Sequence, residues 1–191
     1  MSNPKRDEAD VLKGLAAGVI GGLVASWTMN QFQAWLSKLM EGTERAHGAQ
    51  SLQQGSPQHG IGRELQERGE ENEEDDAAER VASAISEAVF DHPLTESEKE
   101  IGGAVAHYAM GVTSGAIYGT VAEMLPEAAI GLGLPFGVAV WVIADEGIVP
   151  ALGLSKGPSE YPISIHAYSL ASHLVFGLTA EVVRSTVRRA L

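Results

Sequence analysis

The apolar residues of this chain gather into four long runs separated by polar stretches. The first, Gly14 to Leu36, holds 23 residues without a formal charge, enough to cross a hydrocarbon core that takes roughly 20 residues of helix. Its polar members, Ser26, Thr28, Asn30, Gln31 and Gln33, all fall in its second half. The second run, Ile101 to Leu125, is interrupted by His107 and Glu123. Just before it, Leu94-Thr95-Glu96-Ser97-Glu98 reads as a hydrophobic residue followed by a capping box, so a helix is expected to start at Thr95. The third run, Ala128 to Ala144, has 17 residues, contains Pro135, and is followed by Asp145-Glu146 and a further apolar stretch, Ile148 to Leu154. This pattern predicts a kinked helix ending near Gly147. The fourth, Pro162 to Val183, places proline at a first helical position and ends in Arg184, Arg188 and Arg189.

These runs predict an all-α protein, a four-transmembrane-helix bundle. Residues 1–40 form the N-terminal segment and first span, 95–125 the second span, 126–154 the third span with its following turn, and 155–191 the fourth span with a basic cytoplasmic tail. Between the first and second spans, residues 41–79 form an acidic, flexible extracytoplasmic loop. Residues 80–94 form an amphipathic surface helix with Val81, Ala84, Ile85, Ala88 and Val89 on one face. A cleaved secretory signal is the competing reading of the first run. Against it stand Asp7, Glu8 and Asp10 where a basic region belongs, and an apolar stretch longer than usual.

Charge fixes the direction of the spans. Lys5, Arg6, Lys13, Arg184, Arg188 and Arg189 flank one side, against Lys38, Lys99 and Lys156 on the other. The positive-inside rule then places both termini in the cytoplasm. Between Glu41 and Glu100 lie 16 of the 25 acidic residues and five basic ones, a net −11 of the chain's −12. So acidic a chain is not a nucleic-acid binder, which needs a basic face. Without cysteine it has no disulfide framework, thiolate nucleophile or cysteine-based metal site.

Each span carries small or polar residues at four-residue intervals. Gly14, Gly18, Gly22, Ser26 and Asn30 mark the first, and His107, Gly111, Gly115, Gly119 and Glu123 the second. Ala129, Gly133, Gly137, Trp141 and Asp145 mark the third, and Ser169, His173, Gly177 and Glu181 the fourth. Such a row lies on one helix face, and in lipid small residues permit the close backbone approach that holds helices together, a glycine-zipper pattern. The rows also pair. An offset of 58 sets Gly119 and Glu123 against Gly177 and Glu181; an offset of 115 sets Gly18, Gly22 and Asn30 against Gly133, Gly137 and Asp145. The expectation is a parallel tandem repeat of a two-helix unit, with the acidic loop inserted in the first copy.

Ionisable groups inside spans are costly and mark candidate functional sites. Span boundaries place His107, Asp145, Glu146 and His166 near the outer leaflet, with His173 near the midplane. These five are candidates for handling an ion or proton, or for a metal site, because carboxylates and imidazoles serve both. Glu123, Glu181 and Arg184 fall at the inner face, where the two carboxylates are read as accepting hydrogen bonds or pairing with Arg184. The bland alternative leaves Asp145 and Glu146 in the headgroup zone, with the histidines hydrogen-bonding across helices. His107 and His166 share the depth a bis-histidine haem needs, yet nothing else supports one, and no cofactor is expected. Nor is an enzyme: no nucleophile–base pair or phosphate-cradling loop is present, since the glycines sit in apolar helices.

The groups His107-Tyr108-Ala-Met-Gly111, Ala116-Ile-Tyr118-Gly119, Trp141-Val-Ile-Ala-Asp145-Glu146, Val149-Pro150-Ala-Leu-Gly153-Leu-Ser155, His166-Ala-Tyr168, His173-Leu-Val-Phe-Gly177 and Glu181-Val-Val-Arg184 together resemble the YagU-type family of uncharacterised bacterial inner-membrane proteins. The resemblance covers about residues 101–189. It implies an inner-membrane location and no reaction. The leading functional expectation is a non-enzymatic structural or interaction subunit, embedded in the lipid bilayer and self-associating as a homo-oligomer or docking onto other membrane-protein subunits. The competing one is a small proton or cation pathway through the His/Asp/Glu cluster, with the acidic loop concentrating cations at its mouth.

Overall fold

The computed structural model describes residues 4–41 and 77–191. Helix α1 is Pro4–Glu41, α2 is Ala77–Phe90 and α3 is Glu96–Met124. A 3₁₀ turn at Pro126–Ala129 leads to α4, Leu134–Val140, which continues as a π-helix over Trp141–Ile148 and then as α5, Val149–Ala151. A second 3₁₀ turn, Pro158–Glu160, precedes α6, Ile163–Ala190. Among the described residues there is no strand. Three stretches of the described residues are long and apolar enough to cross a membrane: Asp10–Leu39, Leu134–Ala151 and Ile163–Ala190. Helix α3, expected as a span, falls outside that set because glycines, hydroxyl residues, His107 and Tyr108 dilute its apolar character. Over residues 42–76, the expected acidic loop lies outside the described residues.

Local chemistry accounts for the element ends. Thr95 stands just before α3; its backbone N–H donates to Glu98 Oε2 at 2.8 Å and its hydroxyl to the same oxygen at 2.7 Å. These two donors hold the Glu98 carboxyl below the usual carboxylate range. A carboxylate lowered by folding contributes stability above its ordinary pKa and loses it as pH falls through the lowered value. Acid is therefore expected to fray the first turn of α3, read as lower amide protection over Glu96–Glu100 once exchange rates are divided by their intrinsic values at each pH; Glu98→Gln should remove that change in protection, and protection that ignores pH in the unsubstituted protein would contradict the assignment.

The third apolar run departs from expectation in a physically clear way. Pro135 lies in the first turn of α4, where a missing N–H disturbs nothing, so it makes no kink. The disturbance comes from Pro150, which has no N–H to offer the Glu146 carbonyl and whose ring crowds that carbonyl. The chain accommodates it by widening into the π-helix Trp141–Ile148. Instead of stopping near Gly147, the helix runs on to Ala151. It ends where Gly153, at φ +71°, lets its own N–H reach Pro150 O at 2.9 Å and the Leu154 N–H reach Val149 O at 3.0 Å, a Schellman stop.

The chain divides into two compact units, one of Met1–Phe32, Tyr108–Val140 and Ala171–Leu191, the other of Gln33–His107 and Trp141–Leu170. In the first, α1 and α3 run antiparallel in backbone contact: a Cβ on Gly18 would meet Gly115 O, one on Gly22 would meet Gly111 O, and one on Gly14 would stand 2.6 Å from Gly119 O. Helix α6 meets α4 in the same way, with Gly137 against His173 O and Gly133 against Gly177 O. Ala25, Met29, Phe176 and Ala180 form the buried apolar cluster, flanked by Phe136 and Val140. In the second unit α2 lies on the start of α3, where a Cβ on Gly102 would come within 2.7 Å of Ala82 Cβ. Ala78 and Ser86 are buried, whereas Ile85 and Val89 of the predicted apolar side, and Phe90 next to them, are exposed.

Polarity is inverted relative to a protein folded in water. Ser26, Asn30, Gln33, Asp145, Ser169, Ser172, His173, Glu181 and Arg184 are buried, while Leu12, Leu23, Trp27, Trp35, Ile117, Ile143 and Val182 are exposed. Buried polar groups facing one another and apolar ones facing out are what hydrocarbon surroundings select.

Candidate functional site

Two polar arrangements stand out, one in each unit. In the second unit the π-helix turns Asp145 inward to 3% exposure, and the Ser169 hydroxyl of α6 donates to its Oδ2 at 2.5 Å. The next residue, Glu146, receives His166 Nδ1 at 2.6 Å, and the other ring nitrogen of His166 donates to the Pro158 carbonyl at 2.9 Å. Tyr161 stands edge-on to the imidazole, ring centroids 6.5 Å apart. A widened helix is what lets two consecutive carboxylates each meet α6, since π-turns re-aim side chains that a regular helix would spread 100° apart. On α1, Gln33 is buried at 2% exposure; its carbonyl accepts the Tyr168 hydroxyl at 3.5 Å. Gln33 Oε1 and Trp141 Nε1 are buried with no hydrogen-bond partner among the described residues.

In the first unit a carboxylate–guanidinium network joins three helices. Glu181 takes both Arg184 Nε (2.7 Å) and an Arg184 terminal nitrogen (2.8 Å), and the Tyr118 hydroxyl donates to it at 2.8 Å. Glu123 is gripped by Arg188 at 2.8 and 3.2 Å, lies 3.7 Å from Arg184, and shares Arg188 with Asp10 at 2.9 Å. The Arg184 guanidinium lies 5.7 Å from the centre of the Tyr118 ring, which stacks on Phe136 at 4.1 Å. Bidentate pairs of this kind are the strong form of charged hydrogen bond. The same unit holds Asn30, whose amide donates to the Tyr108 hydroxyl at 3.5 Å, and the buried Ser172 and His173.

The candidate cluster is thus distributed. His107, Asp145, Glu146 and His166 belong to the second unit and His173 to the first. Asp145 joins Ser169, Glu146 joins His166, and His107 lies half-buried on α3. Among the described residues no three His, Asp or Glu side chains converge as a metal would require. Glu123, Glu181 and Arg184 come together, but Arg188, read from sequence only as a topology signal, grips Glu123 more closely than Arg184 does. Asp10 entered the sequence reading only as an argument against a cleaved signal and Tyr118 only within the family resemblance; Pro158 and Tyr161 were not singled out. Of these, Tyr118 alone carried a signal, because it lies beside Gly119 in the glycine row.

Residues 80–182 match the model of a family described as "Protein of unknown function (DUF1440)". Comparison with curated proteins and with solved structures gives no match. The matched stretch begins within α2, takes in both carboxylate pairs of the second unit, and stops just past Glu181, leaving α1 and the two arginines outside.

Proposed function

The chain belongs to the DUF1440 family of unknown function, and from its own interior we propose that it is a small, non-enzymatic, multi-pass membrane protein that conducts protons, with Asp145 as the proton-carrying carboxylate. The observation that carries this reading is a carboxylate 3% exposed, on a π-helical stretch of a helix apolar enough to cross a membrane. An ionisable group in that position is expensive and is kept for function, and π-turns concentrate at functional sites. Asp145 with Ser169, and Glu146 with His166, are pairs in which a proton can move between oxygen or nitrogen atoms within 2.6 Å. Buried polar atoms such as Gln33 Oε1 and Trp141 Nε1 are where internal water bridges a relay.

The remaining parts of the picture are proposals on the same footing. Helix α3 is read as a fourth span, supported by its glycine-to-glycine contact with α1. Both termini are read as cytoplasmic in a bacterial inner membrane of the YagU type, supported by the basic residues at the ends of α1 and α6. The two antiparallel pairs are read as copies of one unit. The interaction-subunit reading, a homo-oligomer or a docking partner for other membrane proteins, loses one support: the glycine rows face each other within one chain. It keeps another, the exposed Ile85, Val89 and Phe90 of α2.

Proton uptake into proteoliposomes under a potassium diffusion potential tests the proposal. The unsubstituted protein should acidify the lumen well above protein-free vesicles. Asp145→Asn should lower that rate by about a hundredfold, the scale of a positioned proton-transfer group, while Asp145→Glu retains part of it. Rates equal to empty vesicles for the unsubstituted protein, or unchanged in Asp145→Asn, would overturn it.

A further inference from the structure

His166 makes a contact with consequences of its own. One ring nitrogen meets a Glu146 carboxylate oxygen at 2.6 Å and the other meets the Pro158 carbonyl at 2.9 Å. A carbonyl oxygen only accepts, so the proton between them belongs to the imidazole. A neutral imidazole has one donor, and that donor is then used. The second contact therefore needs an additional proton, held either on His166 as imidazolium or on Glu146 as the acid. Without it, a nitrogen lone pair would face carboxylate lone pairs at 2.6 Å, and the contact would open.

What the contact joins is specific. Pro158 begins the 3₁₀ turn in the segment between α5 and α6. That segment is knit internally, the Lys156 N–H donating to the Tyr161 hydroxyl at 3.2 Å and the Gly157 N–H to Glu160 Oε1 at 2.9 Å. The imidazole links this knot to the π-helix that carries Asp145. The titratable and charged groups around it are Glu146 from the π-helix, Tyr161 with Glu160 and Lys156 from the loop, Arg80 of α2, which donates to the Leu154 carbonyl of the loop at 3.2 Å, and Asp145, which is bonded to Ser169 one turn further along α6. His166 and Glu146 side chains keep 21% and 18% exposure, so protons from solvent reach the pair without the protein unfolding.

We propose that His166, Glu146 and the Pro158 carbonyl form a proton-operated clasp: with the proton bound, His166 fastens the 153–161 loop to the π-helix, and with it lost the Glu146 contact opens and the loop, still bonded to His166 through Pro158, comes away from the π-helix. The sign follows from the chemistry. The fastened form binds one proton more, so acid closes the clasp and alkali opens it. The clasp stands on its own geometry; that its opening changes access to Asp145 rests on the proton-conducting reading above.

The chain has no cysteine, so Ser159→Cys, at an exposed loop position, accepts a single nitroxide. Its mobility in proteoliposomes should pass from immobilised to mobile between about pH 5 and 9 in a one-proton transition. His166→Gln, which cannot titrate, should abolish the transition, and Glu146→Gln should move it to lower pH. In protein without those substitutions, the ¹⁵N shifts of His166 should change over the same range, an arm that needs neither variant to fold. A mobility constant across the range, or a transition that survives unchanged in His166→Gln, overturns the clasp. A transition present in vesicles that show no proton flux supports the clasp and overturns the conduction reading instead.

Discussion

Gly18→Val is expected to cost the protein its folded state in detergent, with loss of the monodisperse species and a large fall in unfolding temperature. A single Cβ at Gly18 would press on the Gly115 carbonyl oxygen and lie 3.0 Å from Gly119 Cα, and the reciprocal atom at Gly115 would press on Gly18 O. The obstructing atoms are backbone on both sides, so no rotamer change can relieve the clash and the helices must separate. Ordinary overpacking costs about 1–3 kcal/mol, and here the upper end is the floor, because separation at Gly18 also opens the Gly14 and Gly22 contacts. Gly115→Val should match it. Ala16→Val, at an exposed position on the same helix, should be close to neutral. A Gly18→Val protein that melts like the unsubstituted one would show that α1 and α3 do not meet here.

The glycine rows were legible because close approach of two helix backbones leaves a local, periodic trace. Their partners were less so. Offsets of 58 and 115 carry the Gly18–Gly115 approach onto Gly133 and His173, yet Gly133 meets Gly177 and Gly137 meets His173, one turn along. The slip follows a turn in which Gly131, Leu132 and Gly133 are successively left-handed, at φ +85°, +57° and +80°. A leucine in that region is strained, and no periodicity announces where such a turn will set a helix down. The bounds of the third helix failed for a related reason: Pro135 and Pro150 look alike in sequence, and their effects differ only because one falls in a first turn and the other at a helix end.

The polar contacts were legible as residue types and not as pairs. Asp145 with Ser169 and Glu146 with His166 join residues 24 and 20 positions apart, and Arg188 reaches Asp10 across 178. Those separations are decided by tertiary packing, which periodicity does not encode. Pro158 could not be found at all, since it contributes a main-chain carbonyl that every residue has. On α2 the expected apolar stripe is exposed at Ile85 and Val89, and the residues set against Gly102 and Gly103 are Ala82 and Glu79, because those glycines accept only a close neighbour.

The same distinction between type and pairing governs the largest electrostatic effect expected here. Arg184→Leu removes both nitrogens that hold Glu181 and leaves that carboxylate, 7% exposed, with the Tyr118 hydroxyl at 2.8 Å. Breaking a buried pair from one side costs about 3–5 kcal/mol, since the surviving charge keeps its desolvation penalty without its partner. Glu181→Gln combined with Arg184→Leu removes both charges, and the double variant should be more stable than Arg184→Leu alone, recovering about half or more of the loss. Arg188→Leu should cost less, because Arg188 is 25% exposed and Asp10 43%, and because Glu123, 15% exposed, keeps Arg184 3.7 Å away. Denaturation of the purified protein in mixed detergent measures the three variants against the unsubstituted protein. If the double variant were no more stable than Arg184→Leu, the network would act by packing the guanidinium over the Tyr118 ring rather than by neutralising Glu181, and the ring contact at 5.7 Å would become the interaction that fastens α6 to α3.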